Sequence, residues 1–98
     1  MVDIVLSNRA SDEILQQSEF LGASSPAYAK AFINGIFVAI DRIRKFPEAG
    51  RTVPEYNDPA IREVFHRHYR IFYFVPANGG RVSITSIQSG RFPHQPLR

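Results

Sequence analysis

The side chains best equipped for chemistry are arginines set among strand-forming residues. In the stretch Ile61 to Val75, IREVFHRHYRIFYFV, Arg62, Arg67 and Arg70 sit among Val, Ile, Phe and Tyr, residue types that fit a pleated, half-buried surface. Arginine keeps its charge at physiological pH and offers a rigid fork of donors to planar anions. An arginine-bearing sheet is therefore a surface for phosphate or carboxylate, and Arg91 adds a further cation near the C-terminus. His66 and His68 could share a strand face, but no third Cys, His or carboxylate stands at a metal-ligand spacing, so no metal is expected. His94 could move a proton, yet its proline-flanked setting reads as a solvated residue of a tail. Plainer roles stand beside these: Arg70 as a structural partner for Glu63 on the neighbouring strand, and Arg62 as an ordinary ion-pair partner of Glu63 or Glu55. Neither Pro47–Arg51 nor Gly79-Gly80 has the spacing and following helix of a phosphate-cradling loop, so no cofactor is expected. Tyr28, Tyr56, Tyr69 and Tyr73 form no recognisable stacking platform for single-stranded nucleic acid.

The elements that must position these residues follow from periodicity. Val2 to Leu6 reads as a short buried strand. Ser7 offers an N-cap to a helix from Asn8 to about Leu21, with Asp12 and Glu13 placed in its first turn and Gly22 as its stop. Ser25-Pro26 is a cap and first-turn pair for a second helix, in which Ala29, Phe32, Ile33, Ile36, Phe37, Ile40 and Ile43 draw one apolar stripe. Arg42, Arg44 and Lys45 complement its C-terminal dipole and Pro47 ends it. Gly50 to Ala60 reads as an irregular connection, Ile61–His66 and Tyr69–Val75 as strands, Pro76–Gly80 as a hairpin loop, and Val82–Ile87 as a last strand. Residues 89–98 read as an extended or disordered tail. The expected fold is α+β, order β-α-α-β-β-β, with a helical hairpin on one face of a small, mainly antiparallel sheet. In the third strand Arg70, Phe72 and Phe74 alternate with Tyr69, Ile71, Tyr73 and Val75. Both faces are thus apolar, and the one away from the helices is expected to meet a partner.

Length and charge bound these expectations. Ninety-eight residues make a single domain, 1–98. The absence of cysteine removes disulfides and thiolate metal sites, no run is long enough to cross a membrane, and the N-terminus carries neither a secretory signal nor a transit peptide. The first fifty residues hold five cations against six acids, whereas the remainder holds seven arginines against three acids. Basic character confined to one half favours nucleic acid or an acidic peptide as partner.

Read together, the segments resemble the RelE/ParE toxins of bacterial type II toxin–antitoxin modules over nearly the whole chain. The resemblance is carried by Leu6-Ser7-Asn8-Arg9-Ala10, by Ser25-Pro26-Ala27-Tyr28-Ala29, by Pro47-Glu48-Ala49-Gly50-Arg51 continuing through Val53-Pro54-Glu55, and by Ile61-Arg62-Glu63 and Tyr69-Arg70-Ile71-Phe72-Tyr73. It implies a cytoplasmic toxin that forms a hetero-oligomer with a cognate ParD-like or RelB-like antitoxin. The RelE-like branch cuts messenger RNA on the ribosome without a metal. Arg70 matches one of its phosphate-holding cations, and Arg91 a second with a one-residue slip. No tyrosine or histidine stands where that branch places its terminal acid/base group, since the tail reads Ser89-Gly90-Arg91-Phe92-Pro93-His94. The ParE-like branch poisons DNA gyrase. Its members often carry histidine just after the last strand, where Gln88 and Ser89 stand here. The Gly50-to-Glu55 and Ile61-to-Glu63 segments are closer to ParE. The resemblance then implies Arg62, Arg67, Arg70, Phe72, Phe74 and Arg91 as residues that meet the target or the antitoxin, with Arg70 and Arg91 catalytic only if the chain is a ribonuclease. Gyrase inhibitor, endoribonuclease and inactive relic remain as function classes.

Overall fold

Two serines set the helix starts. Ser7 Oγ accepts the Ala10 N–H at 3.0 Å and Ser25 Oγ accepts the Tyr28 N–H at 3.3 Å, satisfying donors that a helix leaves unpaired at its first turn. The computed structural model describes residues 1–97, so Arg98, at the end of the expected tail, lies outside the described residues. The elements are β1 (Ile4–Leu6), α1 (Asn8–Ser24), α2 (Pro26–Lys45), β2 (Arg51–Thr52), β3 (Ile61–His66), β4 (Tyr69–Phe74) and β5 (Val82–Ser89). The five strands form one sheet in the order β1-β5-β4-β3-β2, with β1 parallel to β5 and the other pairs antiparallel. This is the expected α+β order with one short strand added.

The first strand begins at Ile4 rather than Val2, and the last runs on through Gln88 to Ser89, the first residue of the expected tail. Three further details differ from the periodicity reading. Helix α1 runs through Gly22 to Ser24, because Ser25 is itself the joint: its N–H closes α1 on Leu21 O at 2.9 Å while its side chain opens α2. Glu13 lies in the second turn rather than the first and points at the sheet. It accepts Ser86 Oγ at 2.8 Å and the Ile87 N–H at 2.9 Å, covering the edge of β5 where the pairing with β1 stops at Leu6↔Ile84. The connection read as irregular holds β2, whose Arg51 and Thr52 pair with Glu63 and Arg62. Two polar residues are too few to show a strand period.

The core lies between α2 and the sheet. Phe32, Ile36, Ile40 and Ile43 pack on Tyr69, Ile71 and Tyr73 of β4 and on Val82, Ile84 and Ile87 of β5, each full burial favouring folding by about 1.5–3 kcal/mol. Phe37, expected in the stripe, is 46% exposed. The His66 ring of β3 packs against α2 at Gly35, where a Cβ would collide with His66 Nε2. A bulge sets Phe72 opposite Ser86 but Tyr73 opposite Ile84. The extra residue on β5 lets both Ile84 and Ile87 enter the core, which strict alternation would forbid.

Candidate functional site

Three of the segments that carry the resemblance, Pro47–Glu55, Ile61–Glu63 and Tyr69–Tyr73, converge on one clasp. The Tyr73 hydroxyl donates to Pro47 O at 2.7 Å and accepts the Gly50 N–H at 3.0 Å, tying the end of α2 to β4. A side chain at Gly50 would collide with that hydroxyl. From Gly50 the chain delivers Arg51 to Glu63, Nε to Oε2 at 2.6 Å, and then buries Val53 against Ile61 and Phe72. Glu55, two residues on, meets Arg70.

Arg70 is closed on carboxylates from every side of its fork. Its Nε donates to Glu63 Oε1 at 2.6 Å, and its Nη1 and Nη2 donate to the two Glu55 oxygens, both at 2.9 Å. The guanidinium also lies 4.7 Å over the Phe72 ring. The hydrogen bonds from Arg70 outweigh the burial of Glu55 and hold its carboxyl at about 2, while the same pair raises the Arg70 pKa further. Glu63 has no exposed side-chain surface, and its two oxygens are divided between Arg51 and Arg70. A buried carboxylate held by two arginines is satisfied and rigid. Arg62 is held differently and only in part: its Nη1 donates to the carbonyls of Glu48 at 3.2 Å and Gly50 at 2.9 Å, while its buried Nε has no hydrogen-bond partner among the described residues.

Beside this lattice the outer face is covered. Phe72, expected on the partner-facing surface, is wholly buried: the Arg70 guanidinium lies over its ring, and His94 packs against it with ring centroids 5.2 Å apart. His94, read from the sequence as solvated, is partly buried between Tyr56 and Gln88. Gln95 N–H donates to Gln88 Oε1, so that oxygen is an acceptor and the His94 proton is assigned to Nδ1, 3.2 Å away. Nε2 then accepts from the Tyr56 hydroxyl at 2.8 Å, and the same hydroxyl accepts the Leu97 N–H at 2.9 Å. Arg9 Nη1 donates to Pro96 O. After a turn at Gly90–Phe92, closed by the Phe92 N–H on Ser89 O at 3.3 Å, residues 93–97 thus run back over the sheet without regular secondary structure.

The remaining two cations of the expected site, Arg67 and Arg91, lie at or next to the β3–β4 turn. Arg67 and Arg91 are exposed and, among the described residues, neither has an ion-pair partner. His66 and His68 both have lowered pKa values, through burial first, then through Arg67 for His66 and through Arg91 and Arg67 for His68. The structure therefore splits the expected site. Arg62 and Arg70 lie inside the molecule's own bonding, Phe72 beneath it, and Arg67, Arg91 and the part-exposed Phe74 at the surface. A separate cleft of about 330 Å³ opens between the end of α2 and β3, with Arg42, Phe46, Arg51 and Phe65 among its lining residues. Sequence reasoning missed it because Phe46 and Phe65 lie nineteen positions apart on different elements. Among the described residues no cluster of His, Cys, Asp or Glu could hold a metal ion, and no helix is long and apolar enough to cross a membrane.

A helical hairpin laid on a five-stranded mixed sheet, bound by this clasp, defines a small α+β domain. It resembles a solved structure of a chromosomal ParDE toxin–antitoxin system from P. aeruginosa, with a TM-score of 0.74 at 15% identity over 91% of this chain and 96% of that one. The family model of the ParE toxin of the type II toxin–antitoxin system parDE matches residues 4–92, and the chain belongs to that family. A comparison with curated proteins gives no match.

Proposed function

We propose that this chain is the toxin of a type II pair that inhibits DNA gyrase by protein contacts and is neutralised by a cognate, ParD-like antitoxin. The observation that carries the reading is the closure of Arg70. In a metal-free ribonuclease this position must offer its donors to a scissile phosphate, whereas here all three nitrogen positions of the fork are held by Glu55 and Glu63. Membership of the ParE family supports the same reading. The α2–β3 cleft, apolar with Arg42 and Arg51 among its lining, suits an acidic, apolar antitoxin segment, and a gyrase target implies a cytoplasmic setting.

Induction of the protein alone tests this. Growth should stop with DNA damage and filamentation while messenger RNA stays intact, and co-expression of the adjacent antitoxin gene should restore growth. Prompt cleavage of translated messages would replace the gyrase reading with the endoribonuclease, and normal growth with unimpaired supercoiling would leave an inactive relic.

A further inference from the structure

Helix α1 carries apolar residues on both of its faces. Ala10, Ile14 and Leu21 turn inward onto the core, yet Leu15 and Phe20 are 57% and 72% exposed. These two belong to a stripe at positions 12, 15, 16, 19, 20 and 23, spaced three and four apart and exposed throughout. Asp12 and Glu19 accompany them on the stripe, and among the described residues neither acid has an ion-pair partner. Apolar anchors among acids on an outward helix face have the composition of a helix that seats in a groove.

The α2–β3 cleft has the complementary make-up. Phe46 and Phe65 line it and are largely exposed. Arg42 lines it without an ion-pair partner among the described residues. Arg51, 5.2 Å over the Phe65 ring, gives Glu63 only its Nε. One copy cannot bring stripe and cleft together. Glu13 anchors α1 to β5, the cleft borders β3 with β4 in between, and the stripe lies opposite the face that packs on the core. A second copy covers both surfaces, setting acids against arginines and apolar side chains against rings. A polyanion would fill the cleft and leave the acidic stripe uncovered.

We infer that this chain self-associates head to tail, the outer α1 stripe of one copy, with Asp12, Leu15, Glu19 and Phe20, seating in the α2–β3 cleft of the next, with Arg42, Phe46, Arg51 and Phe65. The two surfaces differ, so the contact is heterologous and every assembly keeps a free stripe at one end and a free cleft at the other. Association therefore grows with protein concentration. It weakens with salt, which screens the charged pairs and leaves the apolar contacts in place. The contact uses the cleft assigned above to an antitoxin segment but is measured on the purified chain alone, so its failure leaves that assignment and the gyrase reading standing.

Sedimentation equilibrium of the purified chain over a concentration series tests this. The weight-average mass should climb above that of one chain as concentration rises, and fall back towards it in about 0.5 M salt. Arg42→Glu in the cleft, and Asp12→Arg with Glu19→Arg in the stripe, should each raise the dissociation constant about tenfold or more. All three side chains are exposed, so circular dichroism should be unchanged. Phe20→Ser, which adds no charge, should weaken association comparably. Mixing the cleft variant with the stripe variant should restore it, because the stripe of each then meets a cleft of opposite charge in the other. Arg81→Glu, beside β1 and away from both surfaces, should leave the dissociation constant within about twofold. A single-chain mass at every concentration, losses in the Arg81 variant equal to those in the Arg42 variant, or no recovery on mixing would overturn the inference.

Discussion

Arg70 and Arg67 stand three residues apart on one hairpin, yet their surroundings are opposite. Arg70 is enclosed by Glu63, Glu55 and the face of Phe72. Arg67 projects from a strained turn with no acidic partner among the described residues. The same side chain serves as an internal cross-link in one place and as a surface cation in the other. What separates them is the supply of carboxylates: Glu63 of β3 and Glu55 of the connection before it both pair with Arg70, and neither pairs with Arg67. A count of arginines in the sequence overstates the cationic surface, because those of the Gly50–Glu63 clasp are already neutralised or bound to backbone.

Replacing Glu63 by alanine should break the comparison most severely. It leaves Arg51 and Arg70 without their shared, fully buried carboxylate, a class of change that costs about 3–5 kcal/mol, read as a shift in urea midpoint. Arg91→Ala, on the open side, should stay within about 0.5 kcal/mol of wild type in the same titration. Next in size, Tyr73→Phe removes the hydroxyl that serves Pro47 O and Gly50 N–H, and should cost about 1–3 kcal/mol by the same measurement. An undiminished midpoint would show that the clasp does not join helix to sheet.

Acid should weaken the closed region through Glu55. Its folded pKa of about 2 lies below the ordinary value of 4.5, so its contribution is complete above pH 4.5 and disappears as pH falls through 2. Solvent exposure of the pair keeps the effect small. In thermal melts the wild type should exceed Glu55→Gln above pH 4.5 and converge with it near pH 2; a constant gap would show that the Arg70 bond is not what lowers this pKa. The smallest expected effect belongs to the turn, where Arg67→Gly should be neutral or stabilising by up to about 1 kcal/mol because it relieves the left-handed conformation. A clear loss of stability would mean that Arg67 makes a packing contact the open description lacks.

Much of the fold was legible because long apolar periods and capping serines are local signals. The stripe of α2 and the Ser25-Pro26 start are read directly from spacing, and β3 keeps the bounds that alternation assigns it. The clasp was legible only as an ordered set of segments. Nothing in Pro47, Gly50 and Tyr73 individually says that one hydroxyl will join them across a separation of 23 residues or more. The pairing of Arg70 with Glu63 could be entertained from strand order, but its second partner, Glu55, lies in a connection whose path no period describes. His94 was misread for a related reason. Its bonds to Tyr56 and Gln88 span 38 and 6 residues, and a proline-rich segment with no apolar repeat gives no sign of where it docks. The bulge opposite Phe72 was hidden because Thr85 and Ser86 look alike to an alternation count.

The claim that Arg70 is an internal cross-link rather than a reserved phosphate ligand is tested most directly by a double-mutant cycle in urea with Arg70→Met, Glu63→Met and the pair. Residues in contact within one ion-pair network couple by about 0.5–3 kcal/mol. The lattice predicts coupling toward the upper end, about 2 kcal/mol, with the double variant more stable than the sum of the single losses. Additive losses, with coupling below about 0.5 kcal/mol, would contradict it and return Arg70 to the set of cations available to a ligand.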